Sequence, residues 1–479
     1  MVKKGNRLSK YNRVTPEIVA QLREIVGPRF VIHGDAEQLE PFSHDEVAEK
    51  QYHAMPEAVV RPRTAEEIAA IMKLANRARI PVTPRGGGTG LSGGAVPVCG
   101  GIVLALDRMN SILEIDTANM VAVVEPGVVT NDIDSAVKEY GLFFAGYPMS
   151  LQSCFIGGNV AENAGGGKAV KYGVTGRYVL GLQVVTPEGE IAEFGGKLVK
   201  NVTGYDMVGL MVGSEGTLGI VTRIILKLIP RPTRVVDLLV LFRDAESAIR
   251  MVPTIITRAR VVPTAIEFMD KRSARASCEY LNERIPYEQA EAMLLIELDG
   301  NSRAQLEEEY EATGELCLQN GAIEVYVADN ATTQERIWSV RRNIAEAFMV
   351  ISPHQSLEDI CVPVASIPKI IPELDRLSSK YDIQIPCYGH AGDGNLHVTP
   401  VKNPAHSLEQ WHEMLPNILA DLYQVTKDLG GVISGEHGIG HKRKQYVRYS
   451  VNEVSLDLMK RLKKALDPND VLNPGKIFE

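Results

Sequence analysis

Hydrophobic and polar positions divide the chain into three regions, of which the first covers residues 1–232. Short apolar strands alternate there with helical patterns and frequent glycines. Thr64 opens a Thr-Ala-Glu-Glu stretch that is typical of a helix start, and apolar residues then recur at helical spacing: Ile68, Ile71, Met72 and Ala75. The strands are separated by turn signals. The pattern predicts an α+β domain with mixed sheets rather than a regular doubly wound sheet.

The second region covers residues 233–425 and the third covers residues 426–479. In the second, the strand-like segments VVDLLVLF, EFMD, AMLLIELDG and AIEVYVA alternate with polar helical stretches. That order predicts an enlarged ferredoxin-like α+β domain. In the third, Leu458, Leu462 and Leu466 recur at i, i+4 and i+8, so we expect an amphipathic helix from Ser455 onward. This C-terminal helical segment is expected to return to the first domain.

Composition narrows the function mainly by exclusion. Hydrophobic residues make up 45% and charged residues 23%, as in ordinary soluble domains. The formal net charge of -9 argues against a nucleic-acid partner, and no apolar run reaches the roughly 18 residues of a membrane span. The first residues carry positive charge without an apolar core, so no secretory signal is expected. The six cysteines contain no C-x-x-C pair, which disfavours an iron-sulfur cluster and favours a reduced, cytoplasmic setting: Cys99, Cys154, Cys278, Cys317, Cys361 and Cys387.

A glycine-dense loop follows the predicted strand at residues 81–85. Gly88 to Gly93 reads G-x-G-x-x-G, with Asp107 further on, as in a dinucleotide-binding fingerprint. That fingerprint requires a helix after the glycine turn, and the breakers between Gly90 and Gly101 leave no room for one. A nicotinamide cofactor is therefore disfavoured. The successive backbone N–H groups of this loop suit an anion nest instead, and a second glycine-rich segment at 153–167 suggests a diphosphate held from two sides.

A second candidate site lies in the stretches CYGHAGDGNLHVTP and ISGEHGIGHKRK. His390 and His397 flank an Asp-Gly turn, so a hairpin would place both imidazoles on one face of two adjacent strands. Glu436 could supply a third ligand, and His437 lies beside it. Two histidines and one carboxylate with open positions suit zinc, manganese or ferrous iron (Zn, Mn or Fe(II)). The alternative for any single histidine is a structural or surface role.

Taken in order, the motifs PRGGGTGLSGG, SCFIGGNVAENAGG, KYG, NVTGYD and GSEGTLGIV resemble the FAD-binding domain of the vanillyl-alcohol oxidase (PCMH-type) superfamily. Within it the chain resembles the D-2-hydroxyacid dehydrogenase branch: D-lactate dehydrogenases, the flavin subunit of glycolate oxidase, and D-2-hydroxyglutarate dehydrogenase. The resemblance implies a PCMH-type FAD-binding domain with two α/β subdomains at 1–232. It also implies a ferredoxin-like substrate (cap) domain at 233–425 and a C-terminal segment at 426–479.

The resemblance also implies which residues bind FAD. They form two loops, the start of a strand and one C-terminal residue: Pro84, Arg85, Gly86, Gly87, Gly88, Thr89, Gly90, Leu91, Pro148, Ser153, Cys154, Gly157, Gly158, Asn159, Asn163, Gly165, Gly219, Ile220, Val221 and Asn473. Some members of the superfamily attach FAD through a histidine in the first loop. This sequence has none between Pro84 and Val98, so non-covalent FAD is expected.

The family pattern further implies His390, His397 and Glu436 as metal ligands, His437 as the catalytic base and Arg341 as the arginine that binds the substrate carboxylate. His441 has no counterpart and is expected to be structural. The implied reaction is oxidation of a 2-hydroxyacid: the metal binds the hydroxyl and carboxylate, His437 accepts the proton, and FAD accepts the hydride.

The sequence leaves the substrate and the electron acceptor open. In the hydroxyglutarate branch a threonine and a lysine help to hold the distal carboxylate, whereas this chain has Ala345 and the run from Ser356 to Asp359. That difference favours D-lactate over a dicarboxylate. Glycolate or D-2-hydroxyglutarate dehydrogenase, an oxidase, and a non-catalytic FAD-binding electron-transfer subunit are the alternatives. The expected acceptor is an electron-transferring flavoprotein or an iron-sulfur subunit.

Overall fold

The computed structural model describes residues 10–478, so the expectation about the first residues of the chain lies mostly outside the described part. Its β-strands, in chain order, are β1 (Val31–His33), β2 (Ala58–Val60), β3 (Val82–Arg85), β4 (Ile102–Ala105), β5 (Ile112–Asp116), β6 (Val121–Val124), β7 (Leu142–Phe143), β8 (Val179–Val185), β9 (Ile191–Gly195), β10 (Ile220–Lys227), β11 (Ile229–Pro230), β12 (Arg234–Phe242), β13 (Ala265–Asp270), β14 (Ala292–Gly300), β15 (Ala322–Ala328), β16 (Glu358–Cys361), β17 (Cys387–His390) and β18 (Asn395–Val398).

The α-helices of the same described residues are α1 (Pro16–Val26), α2 (Ala36–Leu39), α3 (Ala65–Ala78), α4 (Thr130–Lys138), α5 (Ile156–Glu162), α6 (Ala169–Tyr172), α7 (Met207–Met211), α8 (Ala245–Arg258), α9 (Lys271–Leu281), α10 (Arg303–Gln319), α11 (Ala331–Arg342), α12 (Ile344–Ile351), α13 (Ile370–Tyr381), α14 (Leu408–Asp428) and α15 (Glu453–Leu466). Short 3₁₀ turns lie at Pro28–Phe30, Glu40–Phe42, Lys50–Tyr52, Thr175–Tyr178, Tyr287–Gln289, Val364–Lys369 and Lys444–Tyr449.

The chain forms two compact units. The first contains residues up to Ala164, then Val174–Arg231 and Glu436 onward. The second contains Gly165–Gly173 and Pro232–Gly435. Sequence boundaries at 232/233 and 425/426 differ from this division at the C-terminal side, because 425/426 falls inside α14, a single helix of the second unit.

The first unit contains two larger sheets, of strand order β1-β2-β4-β3 and β5-β6-β10-β8-β9. The predicted helix start is confirmed, since the Thr64 side chain accepts the Glu67 backbone N–H at the N-terminus of α3. The predicted apolar face of α3 is buried, and it belongs to a core that also contains the central strands of the first sheet. β3 and β4 are parallel neighbours, and the connection between them contains the first glycine loop.

The second unit contains one seven-stranded sheet of order β15-β12-β14-β13-β17-β18-β16. Its first four strands in chain order run β12, β13, β14, β15 and lie side by side as 4-1-3-2, with α8 after the first and α10 after the third. This is the ferredoxin-like arrangement that the sequence predicts. β16, β17 and β18 extend the sheet, and β17 pairs with the central strand β13. The predicted histidine hairpin, β17 and β18, is therefore part of this extended sheet.

The C-terminal helix forms as predicted, but its apolar stripe does not face the core. In α15, Leu456 is buried, whereas Leu458 is 54% exposed and Leu462 is 42% exposed. The chain after α15 instead contributes the buried residues Val471 and Leu472 to the core of the first unit.

Candidate active site

The first glycine loop lies in the first unit and contains no helix: β3 leads directly into irregular chain that continues to β4. The prediction that no helix follows the glycine turn, as a Rossmann-type turn would require, is confirmed, and Asp107 forms an ion pair with Arg61. The Arg85 guanidinium donates to the backbone carbonyls of His44 and Pro41, at 2.6 and 3.1 Å. The same guanidinium lies against Gly88 of the loop, where a Cβ atom would collide with it.

The second glycine-rich segment packs directly against the first. A Cβ atom on Gly87 would lie 2.9 Å from the Ser153 carbonyl oxygen, so only glycine permits this approach. The segment is not a loop throughout, because Ile156 begins α5 and Gly158 lies in its first turn. A Cβ on Gly158 would meet nothing within 4 Å. The two segments therefore meet through glycine backbone and leave open space beside Gly158. Glycine backbone of this kind permits the close approach of a diphosphate.

Asn473 reaches this region from the C-terminal segment, and its role in FAD binding stays a prediction. Its backbone N–H donates to the Val82 carbonyl at 2.7 Å, just before the first glycine loop. Its side-chain amide donates to the carbonyls of Gly94 and Glu215, at 3.1 and 2.9 Å. The side chain is buried, and its Oδ1 has no hydrogen-bond partner among the described residues. Ile220 and Val221 begin β10 in the same unit, and Gly219 directly precedes that strand.

The segment that carries Glu436 and His437 is held inside the first unit by Glu215, which sequence reasoning did not single out. Glu215 accepts the backbone N–H groups of Ile439 and Gly440, at 2.8 and 2.6 Å. Burial raises the pKa of the Glu215 carboxyl, and these two donors oppose the rise. The Nε2 atom of His437 lies 3.9 Å from Oε1 of Glu436. The glycine context of the GSEGTLG motif was the available signal for this role.

The histidine hairpin of the second unit forms as predicted. β17 and β18 pair antiparallel around the turn at 391–394, with Tyr388 opposite His397 and His390 opposite Asn395. Both imidazoles therefore lie on one face of the sheet, with ring centroids 5.3 Å apart. Both side chains are buried, at 2% and 7% exposure.

Glu267 is the residue of this site that sequence reasoning missed. It lies in β13 directly opposite His390 and is completely buried. Its Oε1 is 2.7 Å from Nδ1 of His390, and its Oε2 accepts the Nε–H of Arg341 at 2.7 Å. Burial raises the pKa of this carboxyl, but His390 and Arg341 outweigh burial and hold the pKa below its ordinary value. A glutamate inside the apolar strand AIEFM was the signal that could have identified it.

Arg341 lies at the end of α11 and is buried at 3% exposure. Its guanidinium carbon is 5.1 Å from the ring centre of Tyr388, on the hairpin. Glu267 occupies Nε, while Nη2 has no hydrogen-bond partner among the described residues. Arg342, by comparison, pairs with Glu335 on the exposed side of the helix.

The strand next to the hairpin contributes a second buried carboxylate. Asp359 in β16 pairs in register with His397. It accepts the side-chain amide of Asn395 at 2.6 Å, the hydroxyl of Ser434 at 2.8 Å and the backbone N–H of Gly435 at 3.0 Å. Gly435 is the residue before Glu436 in the chain. Asp359 therefore fixes the chain that leads into the Glu436–His437 pair.

The KYG motif and the residues before it, including Gly165, belong to the second unit. Lys171 forms an ion pair with Asp299, and the Tyr172 hydroxyl donates to the same carboxylate at 2.8 Å. Lys168 lies 2.9 Å from Glu297 on the same strand, β14. Ion pairs therefore anchor this segment to the sheet, and the acidic partner of each pair is buried.

Two family models match the chain: FAD binding domain over residues 56–195, and FAD linked oxidases, C-terminal domain, over residues 231–477. The glycolate oxidase subunit GlcD of Bacillus subtilis is 40% identical over 97% of this chain and 97% of its own. The D-lactate dehydrogenase of Anaerostipes hadrus is 39% identical over 98% of each. The solved structure of p-cresol methylhydroxylase with substrate bound matches with a TM-score of 0.80 at 19% identity, covering 96% of each chain, which supports the fold.

The fold and these matches define the class: a PCMH-type α+β flavoprotein. The chain belongs to the family of FAD-linked oxidases and, within it, to the D-2-hydroxyacid dehydrogenase branch that its motifs indicate. It is an FAD-dependent oxidoreductase.

Proposed function

We propose that this protein oxidises a small D-2-hydroxyacid, with D-lactate as the preferred substrate and pyruvate as the product. Non-covalently bound FAD and a divalent metal would assist the reaction. The names of its relatives support the substrate class, since they include a glycolate oxidase subunit and a D-lactate dehydrogenase. The proposal for FAD rests on the facing glycine segments, where Gly158 borders open space and Gly87 approaches Ser153.

The observation that carries the substrate proposal is Arg341. Glu267 already pairs with the charge of Arg341, but the buried Nη2 donor lacks a partner among the described residues, and a buried donor without an acceptor is costly. A planar guanidinium suits a carboxylate through two parallel N–H donors. Because Nε of Arg341 donates to Glu267, the Nη2 side of the guanidinium is the part that would bind the substrate carboxylate.

The metal proposal rests on the donor set. His390 and His397 present two imidazoles on one sheet face, and Glu267 bonds the second ring nitrogen of His390 in the way that typically supports a metal-bound histidine. The family pattern adds Glu436, which would complete a set of two nitrogen ligands and one oxygen ligand, and such a set suits zinc, manganese or ferrous iron. In the reaction FAD supplies the hydride acceptor, and the metal supplies a Lewis acid for the substrate oxygens.

His437 is proposed to accept the hydroxyl proton, because a neutral imidazole is a competent base near neutral pH. Arg341 would orient the substrate carboxylate and thereby restrict the orientation of the adjacent carbon, which carries the single hydrogen that D-lactate gives up as hydride. The buried position of the Arg341 and hairpin side chains excludes water from these contacts, which strengthens them.

A small monocarboxylate is favoured over a dicarboxylate by the residues after α11. Ala345 offers no polar group. Ser356 donates to the buried carboxylate of Glu358 at 2.6 Å, and Tyr423 donates to the other oxygen of that carboxylate. These positions supply acids and a hydroxyl rather than a cation, so they would repel a second substrate carboxylate.

The test is anaerobic mixing of the purified yellow protein with D-lactate, L-lactate, glycolate and D-2-hydroxyglutarate, with and without a chelator. We expect rapid bleaching of the flavin absorbance by D-lactate and its loss after chelation. The variant H437A should lose flavin reduction while retaining FAD and metal, and H390A should lose metal.

Other outcomes would redirect the proposal. Bleaching by D-2-hydroxyglutarate or glycolate alone would replace the substrate. A flavoprotein that none of these acids bleaches would favour an electron-transfer subunit. Normal flavin reduction in H437A would remove His437 from the role of base.

A further inference from the structure

We propose that Glu267 is a positioning residue that fixes the metal-binding imidazole of His390 and the substrate-binding guanidinium of Arg341 with one carboxylate. This inference rests on the proposed function of those two residues. It assigns to Glu267 two roles: selecting which nitrogen of His390 is available to the metal, and holding Arg341 at a set distance from that metal ligand.

The position of Glu267 makes this double contact necessary. It lies in the interior of the sheet, between β14 and β17, with no exposed surface. An ionised carboxylate in such a place is strongly unfavourable without charged or polar partners. Its two oxygens meet one partner each, His390 at 2.7 Å and Arg341 at 2.7 Å. The strand pairing sets the first contact, because Glu267 and His390 are directly opposite in register.

The chemistry of the three groups then determines the proton on His390. An ionised carboxylate only accepts hydrogen bonds, and a guanidinium only donates them. His390 must therefore donate from Nδ1 to Glu267, and Nε2 is the nitrogen through which it would bind a metal. The same carboxylate also restricts which residue can occupy position 167, since a Cβ atom on Gly167 would lie 2.7 Å from Oε1 of Glu267. The third glycine of the GGG run is thus matched to this carboxylate.

Glutamine at position 267 should break the arrangement without changing its size. Arg341 cannot accept a hydrogen bond, so the amide oxygen must face Arg341 and the amide NH₂ must face His390. An NH₂ group needs an acceptor, which forces Nδ1 of His390 to be unprotonated and moves the proton to Nε2. The E267Q variant should therefore favour the histidine tautomer that cannot bind metal through Nε2.

The experiment measures metal binding rather than turnover. Metal-depleted wild type, E267Q, E267D and the control E297Q are dialysed against graded free zinc or manganese, and bound metal per chain is determined by mass spectrometry. Glu297 is a matched control because it is a buried glutamate on the adjacent strand β14 that pairs with Lys168. Flavin content and circular dichroism verify that each variant is folded.

We expect E267Q to weaken metal binding about 10- to 100-fold, in the range typical for loss of a supporting partner of a metal ligand, with E297Q unchanged. E267D should bind metal more tightly than E267Q, because aspartate keeps the acceptor-only carboxylate. A purely structural role predicts the opposite order, since glutamine conserves the volume of glutamate and aspartate does not.

The outcomes separate this inference from the proposed function. If wild type binds metal, H390A does not, and E267Q binds as tightly as wild type, the role of Glu267 is wrong while the metal site stands. An E267Q variant that binds more tightly than E267D would likewise overturn it. If H390A binds metal as well as wild type, the proposed site is wrong and this inference is wrong with it.

Discussion

At the scale of single residues, the sheet of the second unit contains a pair of buried acids outside the candidate site. Asp237 in β12 and Glu297 in β14 are directly opposite in register, and Asp237 is 1% exposed. The indole of Trp338 donates to Oδ1 of Asp237 at 3.1 Å, and Oδ2 has no hydrogen-bond partner among the described residues. Burial first, and the Glu297 carboxylate second, raises the pKa of Asp237 to about 8.

This pair predicts a pH-dependent stability. Between the ordinary pKa of 3.8 and about 8, folded Asp237 retains a proton that the unfolded chain has released. The folded state binds more protons in that window, so stability falls as pH rises through it, by at most about 1.4 kcal/mol per pH unit. D237N mimics the protonated form, so its stability relative to wild type should increase from pH 5 to pH 8. Denaturant unfolding at several pH values measures this difference.

A carboxylate that stays ionised from pH 5 to pH 8 would not make stability depend on pH in this range. The control D244N replaces an exposed helix-capping aspartate, and its stability relative to wild type should not vary over the same pH range. A D237N difference that stays constant between pH 5 and pH 8 would contradict the raised pKa.

At the scale of elements, the two glycine segments of the first unit matter because they pack closely together and leave open space beside them. The two segments approach each other at Gly87 and Ser153, and Gly158 in the first turn of α5 borders open space. The N–H groups of Gly157 and Gly158 donate to the carbonyls of Pro126 and Phe155, so the predicted anion nest is left to the first loop, whose glycines permit close approach. This differs from a Rossmann-type turn, in which one helix N-terminus receives the diphosphate.

The variant G158A tests whether that space is the FAD site. Alanine meets no protein atom within 4 Å and requires no positive φ, so the protein should fold normally. If the diphosphate lies against α5, the added methyl group should weaken FAD binding by about 1–3 kcal/mol, measured as flavin retained during dilution. G300A is the matched control, because Gly300 also has no atom within 4 Å of its Cβ position and should leave flavin content unchanged. Equal flavin retention in both variants would move the diphosphate away from α5.

At the scale of the whole molecule, electrons must leave the reduced flavin for an external acceptor. No helix within residues 10–478 has the length and hydropathy needed to cross a membrane. Separately, the sequence offers no C-x-x-C pair for an iron-sulfur cluster of its own, and this is the ground for an acceptor outside the chain. We propose that the acceptor is a separate protein, either an electron-transferring flavoprotein or an iron-sulfur subunit.

The acceptor proposal predicts slow turnover with oxygen alone. Protein reduced by its substrate under anaerobic conditions is mixed with oxygen, with an electron-transferring flavoprotein, or with an artificial dye as control. We expect reoxidation by the flavoprotein and the dye to exceed reoxidation by oxygen at least tenfold. Turnover with oxygen that matches the other acceptors would identify an oxidase and reject the proposal.

Much of the fold follows from periodicity. The start and buried face of α3 and the strands of the ferredoxin-like domain are local patterns, and all of them form as predicted. Two features differ. The Leu458 and Leu462 stripe of α15 is exposed, and the boundary at 425/426 falls inside α14. Periodicity identifies an apolar face, but it does not determine which side of a helix another element covers.

The sequence by itself determined the absence of a helix after the first glycine loop and the hairpin that pairs His390 with His397, because glycines, prolines and Asp-Gly turns act on the backbone over a few residues. Only the tertiary structure decided that one buried carboxylate bonds both His390 and Arg341. Glu267 is 123 positions from the histidine and 74 from the arginine. No local pattern encodes that contact, since it depends on the register in which β13 pairs with β17 and on the packing of α11.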